Sequence, residues 1–492
     1  MRITPLFGGG FVLAAITGCL APDAVPGAGG GGGGTSTSVP GGGGGGSPQN
    51  SLEWARSYGV DAGSDQRAWS VASTLDGGVL VAGEFEGSFS VGALNLPNTA
   101  GRDGFAFALD AAGKPKWLVG LTGSGDQRVR RAVPTPDGGV LLTGTYSTGL
   151  SLSGTEIGQD PIGDDGFLLA LDDKQALKWI VRGAGPGRQT FESVALASNG
   201  DALVAGTFDG TMQIGDLMID GAGGGVRDLF VARIDPDGQP VWAQSIGGKA
   251  PDMLFGAPSC LVATGSGDTV FVAGTFGGTL HLEDDLGADG GNDMFVGKLD
   301  GAGNALWGRH MGATGTDQRV ASLDVGPGDV ALLSADLMGN VPFGQGITLK
   351  AQGVNPDAAL AAFDADGLPL WARRYGSPAV DRAGAAVFLG DGDILFTGEF
   401  RGAILFDGDE ALLNAEAASN NDDVFFTRLS SSLAPRWARS FGAANDQVAT
   451  SVAVTPQGNP LLAGWFRGVL DFSAGPLDAQ NGADVFVARF DK

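Results

Sequence analysis

Histidine, cysteine and tyrosine are nearly missing from this chain: two, two and three residues respectively among 492. His281 and His310 fall in different copies of the repeat described below, with no Cys or second His beside either. A zinc site or a Ser-His-Asp triad therefore lacks its raw material. The cysteines are Cys19, in an N-terminal leader, and Cys260, inside an apolar run. With Cys19 modified, no intramolecular disulfide can form even in an oxidising compartment. Cys260 reads as a buried small apolar residue rather than a reactive thiol. Basic residues are scarce as well. Thirty Lys and Arg stand against 55 Asp and Glu, for a net charge of −25, which argues against nucleic acid as a partner and against charge-driven membrane binding. No long stretch has the 3.6-residue period of an amphipathic helix, and no glycine-rich phosphate loop leads into one.

What the chain does have is a repeat of about 63 residues with four landmarks. A Trp follows a short turn at Trp54, Trp117, Trp179, Trp242, Trp307, Trp371 and Trp437. A polar pair comes next, as in Asp65-Gln66, Asp126-Gln127, Asp317-Gln318 and Asp446-Gln447. An apolar run then carries a Gly near its end, such as Gly83, Gly144, Gly206 or Gly464. Last, an Asp opens another apolar run, from Asp103 in the first copy to Asp484 in the last.

Each copy contains four strand-like runs. In the first they are Arg67–Leu75, Gly78–Phe85, Phe105–Asp110 and Lys116–Leu121, rich in Val, Leu, Phe and Trp and bounded by turn residues. Runs such as VLVAG are apolar at both parities, so both sheet faces should be buried. A blade wedged between two others has that environment. The expected fold is all-β: a seven-bladed β-propeller spanning 52–492, its last blade closed by the N-terminal strand. Leu52–Tyr58 is an orphan fourth run and Val485–Asp491 a third run without a fourth, so the two should pair. About 440 residues exceed one closed core, and radial repetition avoids that limit. The Gly of the second run should mark a bulge or a close backbone approach. The fifth copy is expected to be irregular, with Ser334-Ala335 in place of a residue followed by Gly.

Residues 1–19 read as a targeting segment, with Arg2 before a short apolar stretch that ends in Ile16-Thr17-Gly18-Cys19. That ending resembles the lipobox of bacterial lipoproteins. The resemblance implies cleavage before Cys19, lipid attachment there, and an extracytoplasmic location, with Leu20 after the Cys pointing to the outer membrane. Residues 20–51 are a Gly-rich linker that cannot bury a core and should be disordered. About 30 such residues span roughly 30 Å, so the folded part would float near the membrane on a tether, as a monomer.

Carboxylates are the remaining candidates. A recurring Asp-Gln pair fits a capping residue bonded to backbone amides. The irregular acidic loops differ. Asp284, Asp285, Asp289, Asp407, Asp409 and Glu410 suggest a binding face for calcium or for a basic protein or envelope polymer, although none matches a calcium-loop consensus. The recurrent Trp residues read as plugs between adjacent blades, while Trp69 and Trp465 break the series.

The segments DAAGKPKWLVGLTG, DPDGQPVWAQSIG and DADGLPLWARRYG resemble the tryptophan-docking motif of quinoprotein-type propellers. The full period, with DGGVLVAGEF and DGFAFALD, is similar to the long bacterial propeller repeats called SBBP repeats. The resemblance covers 52–492 and implies blade construction in an extracytoplasmic lipoprotein. It implies no cofactor, since a quinoprotein's adjacent-Cys pair is missing. The expected function is a lipid-anchored, non-catalytic binding or scaffold module. The alternatives are a carboxylate-based hydrolase or lyase, marked by a carboxylate pair with one raised pKa, or a surface adhesion or envelope-assembly factor.

Overall fold

Short β-branched and aromatic runs separated by Gly-containing turns give this chain an all-β structure. The computed structural model describes residues 51–492 apart from 60–62, 98–100, 159–162, 222–226, 250–259, 407–411, 416–420 and 473–474. Cys19, Asp407, Asp409 and Glu410 lie outside the described residues. Among those described, the one helical element is a three-residue 3-10 turn, Ser266–Asp268, and no helix is long and apolar enough to cross a membrane.

The repeat folds as a four-stranded antiparallel meander. In repeat 1, Gln66–Ser73, Val79–Glu86, Arg102–Leu109 and Pro115–Thr122 pair in chain order. Each falls within a few residues of the run expected from sequence. The pattern returns in repeats 2 to 6, whose first strands are Gln127–Pro134, Gly187–Leu196, Cys260–Thr264, Arg319–Gly326 and Asp381–Phe388. Repeat 5 pairs as regularly as its neighbours, against expectation. Its Ser334 is buried, with the hydroxyl donating to Gly384 O at 2.7 Å, so the polar substitution is satisfied rather than disruptive.

Repeat 7 is assembled from both ends of the chain. Gln447–Val454, Pro460–Asp471 and Pro476–Phe490 supply three strands, and Leu52–Tyr58 supplies the fourth. Leu52 stands opposite Phe490 and Tyr58 opposite Val485, which is the expected pairing. Second and third strands are buried on both faces. Val79 through Phe85 and Asp357 through Phe363 have no exposed residue.

Two devices join successive repeats. The fourth-strand Trp of one repeat donates its indole N–H to a turn carbonyl of the next: Trp54 to Ala111, Trp179 to Pro236, Trp242 to Gly301 and Trp307 to Ala365, at 2.8–3.0 Å. The ring lies against a turn glycine; a Cβ on Gly238 or Gly367 would come within 2.7 Å of the ring, and both have positive φ. The first strands also stand side by side around the molecule. Each neighbours the first strand of the next repeat, and that of repeat 7 neighbours that of repeat 1. Hydroxyls bridge them: Ser70 Oγ accepts from Ala132 N, Ser322 Oγ from Ala386 N and Ser451 Oγ from Val71 N, at 2.9–3.2 Å.

The glycine expectation is met by both mechanisms at once. Six of the seven first strands carry a bulge, skipping Trp69, Arg130, Glu192, Ala321, Thr450 and, in repeat 6, Gly384 with Ala385. A bulge pushes a first-strand carbonyl toward the second strand. A Cβ on Gly144 would sit 1.8 Å from Arg128 O, and one on Gly464 would sit 1.9 Å from Val448 O.

Candidate binding cavity

The bulges decide which side chains face inward. Each bulged residue is the third after the Gln, or its equivalent, that opens the strand. All six such positions, from Trp69 to Thr450, line one cavity of about 830 Å³ bounded by residues of all seven first strands. The residue directly after the Gln also lines it, which places Arg67, Arg128, Arg319 and Arg382 there. The lining holds nine arginines and five carboxylates, in a chain whose net charge is −25.

Seven of the nine arginines have carboxylate partners. Arg67 meets Asp65 at 2.7 Å, Arg128 meets Asp126 at 2.9 Å, Arg319 meets Asp336 at 2.7 Å, and Arg382 meets Glu399 at 3.0 Å. Arg102, Arg188 and Arg401 pair with Glu86, Asp164 and Asp422. Arg130 and Arg131 have no carboxylate within ion-pair distance among the described residues. Burial pulls both guanidinium groups below their ordinary range, with the fields of Glu84 and Glu192 opposing this at Arg130 and that of Asp324 at Arg131. Arg131 retains accessible surface although protein surrounds it, as expected for a side chain deep in an open cavity.

Two tryptophans form cationic stacks in the lining. Arg130 lies over Trp69 with 5.2 Å between guanidinium carbon and ring centroid, and Arg67 lies over Trp465 at 5.1 Å. These are the two tryptophans that break the sequence series. Four buried donors of the lining have no acceptor among the described residues: Arg67 Nε, Trp69 Nε1, Arg128 Nε and Arg130 Nη1. Burial, with Asp422 adding to it, pushes the Glu399 carboxyl up to about 7 against the opposing pull of Arg382.

The Asp-Gln pairs hold this wall in place. Gln66, Gln127, Gln318 and Gln447 are fully or almost fully buried, and each Nε2 donates to a second-strand or loop carbonyl of its own repeat. The Asp of each pair accepts from an amide of the preceding repeat: Asp126 from Arg102 N, Asp317 from Asn292 N and Asp446 from Asp422 N, with Asp65 taking Ala483 N across the chain ends. The capping role expected from sequence is present, but it acts between repeats.

The acidic loop of repeat 4 is elsewhere. Asp284 and Asp285 are exposed, and Asp285 pairs with His281 Nδ1 at 2.7 Å. Asp289 comes together with Asp293 and His310, their ligand atoms within 4.8 Å of one another. Asp293 is fully buried and bonds His310 Nε2 at 2.7 Å. His281 and His310 both belong to repeat 4, on strands Val270–His281 and Ala305–Met311, which corrects their assignment to different copies. Asp293–Leu299 lies between them in the chain and pairs with both, which makes them the second and fourth strands of one repeat. Cys260 is fully buried, as expected, and burial raises its thiol well above its ordinary value.

No protein-family model matches the chain, and no curated protein matches it. Among solved structures it is similar to a glucose dehydrogenase, at 11% identity and a TM-score of 0.34 over 72% of this chain and 94% of that one. It is also similar to Sqt1 from Chaetomium thermophilum, at 12% identity and 0.30, over 88% and 99%. Likenesses at this level bear on neither fold nor function.

Proposed function

We propose that this chain is a lipid-anchored, extracytoplasmic seven-bladed β-propeller that acts as a non-catalytic binding module, with its ligand in the axial cavity. The observation that carries the reading is the closed neighbour relation of the seven first strands around an arginine-rich cavity. The mixed-chain seventh repeat supports a ring, since an open stack would need atypical capping repeats at its ends. Cys19 anchors the chain through lipid at the outer membrane, and 20–51 tether the propeller. The exposed acidic loop at Asp284 and Asp285, together with Asp407, Asp409 and Glu410, is the proposed contact for calcium or for a basic protein or envelope polymer. The blade construction is that of the SBBP-type repeat.

Fractionation of cells making wild type and Cys19→Ser tests the anchor. Wild type stays with the outer membrane, and the variant is released folded; a variant retained in the membrane contradicts the anchor. Calcium that raises the melting temperature of wild type, but not of Asp284→Asn/Asp285→Asn, assigns the loop to calcium. No rise leaves the basic partner.

One observation favours a hydrolase or lyase. Glu399 lines the cavity near Asp422 with its carboxyl raised to about 7, the state of a general acid. Against it, Arg382 holds Glu399 and Arg401 holds Asp422 by two contacts, which ties both carboxylates to structural partners. Turnover of a glycoside or ester by wild type that vanishes in Glu399→Gln would establish the enzyme.

A further inference from the structure

We infer that the axial cavity is a receptor for a small, multiply charged oxyanion, carrying phosphate or carboxylate groups, held by Arg130 and Arg131. The inference rests on the binding-module reading above and names its ligand.

The pairing pattern gives the sign. Seven cavity arginines are each held by a specific carboxylate, and Arg130 and Arg131 are the two with none within ion-pair distance among the described residues, although Glu84, Glu192 and Asp446 also line the cavity. A guanidinium stays protonated at any physiological pH, so both stay charged, balanced only by the more distant fields of Glu84 and Glu192 at Arg130 and of Asp324 at Arg131. Arg131 is exposed to solvent, whereas Arg130 Nη1 is buried with no acceptor among the described residues, and a buried charged donor left without a partner is costly. A mobile counter-ion of matching shape relieves that cost.

The hydrogen-bond inventory gives the chemistry. The cavity's orphan groups are mainly donors: Arg67 Nε, Trp69 Nε1 and Arg130 Nη1. The one orphan acceptor, Glu84 Oε2, faces Arg128 Nε, another orphan, at 3.5 Å. A ligand completing this set must be rich in acceptors. Phosphate and carboxylate oxygens accept in pairs from guanidinium forks, which match their geometry.

Placement gives specificity. Arg130 is the bulged residue of its strand, fixed by ladder pairs on either side, Val129 with Gly144 and Arg131 with Thr143. Trp69, the bulged residue of the adjacent repeat, supports its guanidinium plane. A side chain held by backbone pairing and stacking is already positioned for its ligand and loses little freedom on binding. The cavity volume of about 830 Å³ suits a small molecule rather than a folded partner.

The test uses the full chain purified in detergent, with pyrophosphate and citrate as probes and potassium chloride at equal ionic strength as control. Calorimetry and the melting temperature are the readouts. Binding of either probe with a rise in melting temperature beyond chloride is expected. Pyrophosphate alone assigns phosphate, citrate alone carboxylate, and both a general oxyanion site. Arg130→Met/Arg131→Gln should weaken binding roughly tenfold or more, while melting no lower than wild type without probe. No rise beyond chloride with either probe overturns the inference, and so does a rise retained by the double variant. Should that variant not fold, acrylamide quenching of wild type against Trp69→Phe still decides. If acrylamide reaches Trp69 and the probes shield it, the inference stands. If it reaches Trp69 and the probes do not shield it, the oxyanion inference fails and the cavity survives. If it never reaches Trp69, the cavity reading itself fails.

Discussion

Arg130 lies over the indole of Trp69, 5.2 Å from the ring centroid, although the two residues belong to different repeats. Both occupy the bulge of a first strand, and both bulges point to one cavity. The contact is therefore a product of the repeat: a local irregularity, copied from one strand to the next, brings distant residues face to face. What differs between repeats is the residue that each bulge presents, so the fold is uniform while the cavity is not.

Adding a methyl group at the bulge should cost more than adding one at an open turn. Gly144→Ala would place its Cβ 1.8 Å from Arg128 O, so backbone must move, at about 3 kcal/mol or more. Gly154 has a φ of +87° and nothing within 4 Å, so Gly154→Ala should cost about 1–2 kcal/mol from backbone conformation alone. Denaturant titration of both variants checks the order. Equal losses would mean that the bulge relaxes freely.

Stability should fall as pH rises from mildly acidic to mildly basic. Burial, ahead of the hydrogen bonds that oppose it, raises Asp103 and Asp381 to about 7 and Asp165 to about 6. An acid whose pKa is higher folded than unfolded contributes stability fully below its unfolded value of about 4. That contribution is lost as pH climbs through the folded value. The window is therefore about pH 4 to 7, and the melting temperature should be lower at pH 8 than at pH 5. Asp381 occupies the place where most repeats have Gln, and its Oδ1 is buried without a partner among the described residues. Asp381→Gln should flatten part of the slope and stabilise the protein at pH 8. A flat profile in wild type would show that these carboxylates ionise without penalty.

Much of this was legible in the chain. Strand positions, the Gly at the close approach and the pairing of the two ends follow from short-range pattern and from complementary fragments at the termini. The cavity was not legible. Its lining depends on which strand parity faces inward, and a bulge reverses that parity part-way along six of the seven first strands. The signal was present in Asp65-Gln66-Arg67, Asp126-Gln127-Arg128 and Asp317-Gln318-Arg319, where Arg follows the structural pair. The overall acidity drew attention to surface carboxylates instead, and Asp289 met Asp293 and His310 only once the repeat 4 strands were paired.

Trp54 should be the costliest single side chain to lose at the chain closure. It is 7% exposed, donates to Ala111 O at 3.0 Å, and lies against Gly113 of repeat 1. Trp54→Ala should cost roughly 3–5 kcal/mol. Trp54→Phe keeps most of the apolar contact and loses one hydrogen bond, for about 1 kcal/mol. Chemical denaturation should rank wild type above Phe and Phe above Ala. An Ala variant as stable as wild type would mean that the N-terminal strand is not part of the fold.

The proposed ring can be tested by a covalent bond across the pairing of the two ends. Ala55 and Ala488 are direct partners in the pairing of Leu52–Tyr58 with Pro476–Phe490. The only native thiol in the described residues, Cys260, is buried and should not compete. In Ala55→Cys/Ala488→Cys made on a Cys19→Ser background, mild oxidation should give an intramolecular disulfide with a faster-migrating, more heat-stable chain. Reduced monomer, or disulfide-linked dimers only, would mean that the ends do not meet and that the repeats form an open array.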